Sequence, residues 1–158
     1  PMPTQRYEMG VSVIGSHIFV IGGYHNSGAC NNVEVFDTKT DTWKVLAPMP
    51  TARQGMAVGT TDDRHIWVLA GFTAGRFSKV VEVYDIETNK WTTCDIETPS
   101  TCVSAGTVIS GNKIYITGGH PEGFIPRNQV MVFVPETQSF GVIPPMLKSR
   151  TWHGAVSF

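Results

Sequence analysis

The sequence predicts an all-β fold made of repeated four-stranded antiparallel units, and three observations lead to this prediction. First, the segment "VEVFDTKTDTW", which begins at Val33, recurs 48 residues later as "VEVYDIETNKW" from Val81. Second, short runs of Val, Ile and aromatic residues are bounded by Gly, Asn, Asp and Pro, which is typical of strands joined by turns. Third, no segment shows a sustained helical apolar period. A duplicated segment indicates repeated packing units rather than catalytic residues.

The repeat extends over the whole chain as three units. Residues 17–20 match residues 65–68, and residues 114–116 match residues 66–68. Phe133 matches Tyr84 at a spacing of 49. The units span approximately residues 6–52, 53–100 and 101–149, and residues 150–158 begin a further unit. We therefore expect one repeat domain over residues 1–158.

Each unit contains four strand-like runs, which in the first unit fall at residues 10–14, 17–21, 33–36 and 43–46. Four strands per unit and a period near 48 favour the blades of a β-propeller over a single sandwich. We expect Trp43 to fill the space beside Gly22 and Gly23, since close-packed interiors favour large-against-small fits. We expect Glu34 and Asp37 to anchor the adjoining turns.

The third unit departs from the pattern of the other two. Thr101 is aligned with the arginines that open the other units, Arg6, Arg53 and Arg150. Phe140 stands where the other units have Trp, and Pro135 replaces an acid. This unit is either less stable than its neighbours or altered to serve a partner.

Glycines, aromatic residues and an arginine linker recur in register. The recurring features are "VIGG", "VLAG" and "ITGG", a Tyr or Phe after a Val-x-Val strand, a Trp six or seven residues later, and a Pro-Met-x-x-x-Arg linker. With these features the chain resembles the Kelch-repeat proteins over its whole length. The resemblance implies a Kelch-type β-propeller with three four-stranded antiparallel blades, which is half of a six-bladed propeller.

The linker is most similar to that of propellers attached to BTB domains in cullin-dependent ubiquitin ligase adaptors. This similarity implies a module that binds a substrate protein or peptide for such a ligase. A cytoskeletal or scaffolding propeller is the alternative. Kelch-like enzymes include copper oxidases and sialic acid epimerases, but an oxidase would need two His and two Tyr around one metal. We expect no enzyme activity, no catalytic residues and no cofactor, because no convergent acid–base pair is visible.

The resemblance also implies that two sets of loops share one end of the propeller, here called the mouth. They are the loops between the second and third strands (24–32, 72–80 and 120–129) and the loops between blades (47–53, 95–101 and 144–150). The candidate partner-binding residues are Arg6, Glu8, Tyr24, His25, Arg53, Phe72, Arg76, Phe77, His120, Phe124, Arg127, Arg150 and Trp152. Loop residues that do not recur are the stronger candidates, because loops on a rigid scaffold carry specificity.

Two further expectations concern the mouth. The family often directs a side chain toward the central channel two residues after the linker Arg, and those positions here hold Glu8, Gly55, Val103 and Trp152. The mouth carries seven basic residues against four acidic ones, which suits an acidic or phosphorylated peptide. The recurring arginines have a second interpretation, in which they brace backbone carbonyls between blades.

Composition excludes several other roles. The net charge of −1 argues against a nucleic-acid binder, which needs a basic surface to displace counterions. The apolar runs are too short to span a bilayer. The three cysteines, Cys30, Cys94 and Cys102, form no C-x-x-C pair, and we interpret them as reduced thiols in a cytoplasmic protein.

Three blades leave two sheet faces without a neighbour. Propellers close with about four to eight blades, and exposed apolar faces drive association. We therefore expect either a homodimer that closes a six-bladed ring or further blades supplied by a parent chain. The chain begins at Pro1 rather than Met, so we expect a trimmed product or a fragment.

Overall fold

The computed structural model describes residues 1–156 and confirms the predicted all-β architecture over those residues, with three four-stranded antiparallel sheets. Blade 1 and its loop contain β1 (Gly10–Ile14), β2 (His17–Ile21), β3 (Tyr24–His25), β4 (Gly28–Ala29), β5 (Val33–Asp37) and β6 (Thr42–Val45). Blade 2 and its loop contain β7 (Ala57–Gly59), β8 (His65–Leu69), β9 (Phe72–Thr73), β10 (Arg76–Phe77), β11 (Val80–Asp85) and β12 (Lys90–Glu97). Blade 3 contains β13 (Gly106–Ser110), β14 (Lys113–Thr117), β15 (Val130–Val134) and β16 (Ser139–Ile143).

Every blade has the same strand order. The sheets run β1-β2-β5-β6, β7-β8-β11-β12 and β13-β14-β15-β16, and the pairs β3–β4 and β9–β10 are small hairpins in the loops of the first two blades. In the third blade, the turn between β15 and β16 contains a 3₁₀ helix at Pro135–Thr137. Among the described residues no helix is long and apolar enough to cross a bilayer.

The strand predictions for the first blade are correct apart from the ends of β5 and β6. Asp37 pairs with Thr42, so β5 is one residue longer than expected and β6 begins one residue earlier. The side chain of Asp37 accepts a hydrogen bond from the backbone N–H of Lys39 at 2.8 Å. Asp37 therefore anchors its turn as predicted.

The core lies between blades rather than within one sheet. One cluster joins blades 1 and 2 through Phe19, Val58 and Tyr84, and a second joins blades 2 and 3 through Trp67 and Phe133. The rings of Trp67 and Phe133 meet edge to face at 5.1 Å. Each blade is thus stabilised mainly by the blade beside it, as expected for a repeat architecture.

The expectation that Trp43 packs into the space beside the glycine pair is wrong. Trp43 stacks on Phe36 with ring centroids 5.1 Å apart, at the opposite end of the blade. Beside Gly22 lie Met56 and the carbonyl of Arg53, and beside Gly23 lies the carbonyl of Tyr7. The glycines therefore leave space for the backbone of the linkers. Phe36 and Trp43 instead pack on each other across the paired strands β5 and β6.

Replacing the glycine that follows the second strand of blade 2, after Ala70, is expected to destabilise the chain through backbone contact. At Gly71 φ is +101°, and an added Cβ would lie 2.9 Å from the carbonyl oxygen of Gln54. We expect Gly71→Ala to lower the free energy of unfolding by about 2–3 kcal/mol, from backbone strain and the clash. Gly75→Ala is the matched control, because φ there is also positive but nothing lies within 4 Å. Urea denaturation measures both variants, and equal losses would contradict this explanation.

Candidate functional site

The two loop sets meet at one end of the blades, as the sequence predicts. Each linker pairs with the neighbouring loop through an antiparallel bridge. The bridges are Tyr7–Tyr24, Gln54–Phe72, Val103–His120 and Arg127–Arg150. The mouth is therefore a continuous surface to which each blade contributes a loop and a linker.

Arg6 and Arg53 do not face a partner, because both side chains are buried in their blades. The Arg53 guanidinium donates to the carboxylate of Glu82 at 2.6 Å and to the carbonyls of Ala70 and Val80, both at 2.8 Å. Burial lowers the pKa of Arg53, and the charge of Glu82 opposes that shift. Arg6 pairs with Glu34 at 3.1 Å. The bracing interpretation holds for these two arginines, and their prediction as partner-binding residues is wrong.

Blade 3 replaces this ion pair with uncharged residues. Gly23 donates to the carbonyl of Arg53, and Gly71 donates equivalently to the carbonyl of Cys102. Cys102, not Thr101, therefore occupies the arginine position, and the sequence alignment was off by one residue. Met131, which pairs with Ile116 as Glu82 pairs with Val68, occupies the glutamate position. Loss of both charges together avoids an unpaired buried charge.

Arg150 occupies the same repeat position, with its carbonyl bonded to Gly119. Its side chain is exposed.

The residues predicted to point toward a central channel, with Ser104 in place of Val103, form a hydrogen-bonded ladder from one blade to the next. The amide of Gly55 donates to the carbonyl of Glu8, that of Ser104 to Gly55, and that of Trp152 to Ser104, at 2.8–2.9 Å. All four residues have φ between 50° and 60°. Ser104 takes the channel position predicted for Val103, which is instead buried and paired with His120. The indole of Trp152 donates to the carboxylate of Glu8 at 3.3 Å.

Five of the predicted residues form one aromatic run across the mouth. The rings of Phe72 and Phe77 are 5.1 Å apart, those of Phe77 and Phe124 are 5.5 Å apart, and those of Phe124 and His120 are 5.0 Å apart. His120 then meets Trp152 at 5.3 Å. Phe124 is 63% exposed and Trp152 is 66% exposed, whereas His120 is 2% exposed. His120 is thus the floor of the run rather than a surface residue.

Tyr24 and His25 lie in the loop of blade 1, outside the aromatic run. The ring centroids of Tyr24 and Tyr7 are 5.4 Å apart. The Nδ1 atom of His25 accepts a hydrogen bond from the backbone N–H of Ser27 at 3.1 Å. Sequence reasoning missed Tyr7 and Ile125, which are 59% and 71% exposed. Their positions, next to a linker arginine and next to Phe124, were the available signals.

The positive excess at the mouth is smaller than the sequence predicts. Without the buried Arg6 and Arg53, five basic residues remain against four acidic ones. Arg76, Arg127 and Arg150 form no salt bridge within residues 1–156. At the opposite end Arg64 pairs with Asp85 at 2.6 Å and with Glu87 at 3.0 Å. The Arg64 hydrogen bond holds the pKa of Asp85 well below its ordinary value.

One sizeable cleft lies away from the mouth. It has a volume of about 520 Å³ and lies between blades 2 and 3 at the opposite end, lined by residues that include Asp62, Trp67 and Glu136. A similar groove between blades 1 and 2, lined by His17, Phe19 and others, has a volume of about 260 Å³. A cleft of this kind occurs between blades 1 and 2 and again between blades 2 and 3. We therefore interpret both clefts as space left where neighbouring sheets pack together. No group of three or more His, Cys, Asp or Glu residues suited to a metal occurs in the described part of the chain.

The cysteine side chains differ in accessibility, and this predicts their order of reaction. All three are free, and Cys30 and Cys102 are buried while Cys94 is half-buried. Burial raises the pKa of Cys102 to about 12, so its reactive thiolate is scarce at pH 8. We expect a disulfide reagent to modify Cys94 first and Cys102 only after denaturation. Peptide mapping of the partly labelled chain tests this, and early labelling of Cys102 would contradict it.

Comparison with protein families matches residues 1–158 to the "KLHDC2/KLHL20/DRC7 Kelch-repeats domain". The chain belongs to the Kelch-repeat family. Kelch-like protein 35 of Mus musculus is 26% identical over 158 residues, which are 99% of this Kelch chain and 26% of that protein. The chain therefore spans about a quarter of the length of this relative.

A solved structure described as "Structure of YjhT" shares the fold of this Kelch chain. It superposes with a TM-score of 0.79 at 17% identity, covering 95% of this chain and 55% of that one. This likeness shows the propeller architecture alone. Membership of the Kelch-repeat family indicates a protein-interaction module.

Proposed function

We propose that this Kelch chain binds a segment of a partner protein across its mouth. The observation that carries the proposal is the aromatic run from Phe72 to Trp152, with exposed arginines beside it. Aromatic residues and Arg dominate the energetics of protein interfaces, and Phe124 and Trp152 are each more than 60% exposed. Loops on a rigid repeat scaffold suit recognition of a variable partner.

We further propose that the partner is a substrate selected for a cullin-type ubiquitin ligase. Support comes from the Pro-Met-x-x-x-Arg linkers, which resemble those of BTB-attached propellers, and from membership of the Kelch-repeat family. In this proposal attachment to a cullin is a property of the parent protein. A cytoplasmic location belongs to the same proposal, because three free thiols fit a reducing compartment.

Co-purification of the tagged chain from cells tests the proposed function. The mouth variant carries Phe124→Ala and Arg127→Ala, and the control carries Lys39→Ala and Lys113→Ala, which are exposed positions at the opposite end. We expect the control to retain a set of co-purifying proteins that the mouth variant loses. Equal retention by both variants would contradict the proposal.

The ligase role needs a separate readout. We expect the abundance of a retained partner to rise when cullin activation is blocked in cells that contain the parent protein. A partner that binds at the mouth without any change in abundance would instead favour the scaffolding function.

The uncovered faces of blades 1 and 3 support a proposal about assembly. Val11, Val13 and Val45 on blade 1 are 48–64% exposed, and Ile143 on the outer face of blade 3 is 40% exposed. Apolar faces of this kind are covered between blades 1 and 2 and between blades 2 and 3. We propose that a second copy covers them in a six-bladed ring or that further blades of the parent chain do so.

A further inference from the structure

The loop of blade 3 presents Phe124 on a fixed backbone. The amide of Gly118 donates to the carbonyl of Gln129 at 2.8 Å, and that of Arg127 donates to the carbonyl of Gly119 at 2.9 Å. The amide of Phe124 donates to the carbonyl of Pro121 at 3.1 Å. Phe124 itself has φ of +58°, an uncommon conformation for a bulky residue. Because the loop is already ordered, little conformational entropy is lost when a ligand contacts this ring.

A buried imidazole lies beneath Phe124 and Trp152. His120 stacks on both rings and meets Phe77 at 6.0 Å. Its Nδ1 atom is buried and has no hydrogen-bond partner among the described residues. The surface at this point consists of two exposed aromatic rings over a buried imidazole, and the rings supply mainly apolar contact area.

The cations closest in sequence to this surface are not neutralised within residues 1–156. Arg76 adjoins Phe77 on β10, and Arg127 closes the loop that carries Phe124. Both side chains are exposed and neither forms a salt bridge in the described chain. Arg6, Arg53 and Arg64, by contrast, each pair with a carboxylate. An apolar surface with free guanidinium groups on the same two loops is complementary to an apolar side chain flanked by carboxylates.

We propose that Phe124, Trp152 and His120 hold one large apolar side chain of an extended partner segment, and that acidic residues flanking it pair with Arg76 and Arg127. This inference rests on the proposed function and names the chemistry of the segment. The Tyr7–Tyr24 pair of blade 1 lies outside the aromatic run and is not required.

A selection from a random 12-residue peptide library on the immobilised chain tests this inference. Enriched peptides are resynthesised with fluorescein, and their Kd is measured by fluorescence polarisation. The binding variants are Phe124→Ala and Arg127→Glu. The controls are Tyr24→Ala in the blade 1 loop, and Lys39→Ala and Lys113→Glu at the opposite end. Circular dichroism melting checks that each variant is folded.

We expect enriched peptides to share a Trp, Phe or Leu with Asp or Glu on either side. Phe124→Ala and Arg127→Glu should each weaken binding at least tenfold, as hot-spot residues do, while the three controls stay within twofold. A peptide with Lys in place of one acid should regain affinity for Arg127→Glu. Peptides that bind without regard to Phe124 and Arg127 would overturn this inference and leave the proposed function standing. Failure to enrich any peptide would overturn both.

Discussion

Arg53→Ala is expected to lower the free energy of unfolding by about 3–5 kcal/mol, because it leaves a buried carboxylate without its partner. Both side chains of the Arg53–Glu82 pair are 0% exposed, and the pair is 2.6 Å long. The same change also removes the donors for the carbonyls of Ala70 and Val80. Urea denaturation followed by tryptophan fluorescence measures the loss. Arg76→Ala, an exposed arginine in the same blade, should change the free energy by no more than about 0.5 kcal/mol.

The double variant Arg53→Met/Glu82→Met separates charge from packing. Blade 3 has Cys102 and Met131 at the corresponding positions, so the blade fold accepts uncharged residues there. We expect the double variant to be more stable than Arg53→Ala, because no unpaired charge remains. If both proteins lose the same free energy, the unpaired charge is not the cause of the loss.

Phe133→Ala is expected to cost about 3–5 kcal/mol, as removal of a fully buried aromatic side chain does. Phe133 is 0% exposed and packs between Trp67 of blade 2 and Phe140 of its own blade, at 5.1 Å and 4.7 Å. Its loss would open a cavity at the interface between blades 2 and 3. Thermal and urea denaturation measure the effect.

Phe36→Ala is the matched control, since Phe36 holds the same repeat position in blade 1. Phe36 is half-buried, and no sheet of the described chain covers its face. In a monomer, Phe36→Ala should lower the free energy of unfolding clearly less than Phe133→Ala does. Equal costs in the monomer would contradict the view that neighbouring blades supply most of the stability. A cost that grows with protein concentration would support the two-copy ring.

The sequence was sufficient for the fold because its signals are local and repeated. A double glycine, an aromatic pair and a linker arginine recur in most of the units. Runs of Val, Ile and aromatic residues between turn residues then predict the strands. The burial of Arg6 and Arg53 was less accessible to sequence reasoning. It depends on Glu34 and Glu82, which are 28 and 29 residues away along the chain.

The candidate site was predicted as a set of loops but not as a surface. Loop positions predict Phe72, Phe77, His120 and Phe124, and the channel position predicts Trp152. Only the geometry places all five in one run. The assignments of Thr101 and Val103 were each off by one residue, because the linker before blade 3 is one residue longer. The free charge at the mouth could not be predicted, since it depends on which arginines are paired inside the blades.

Photo-crosslinking at the two ends of the chain tests the central claim most directly. The photo-reactive residue p-benzoyl-L-phenylalanine is placed at Phe124 in the mouth or at Lys113, an exposed position at the opposite end. Adducts formed in cells are then compared by mass spectrometry. A protein-interaction mouth predicts partner adducts at Phe124 and few at Lys113. Equal adducts at both positions, or adducts at Lys113 alone, would contradict it.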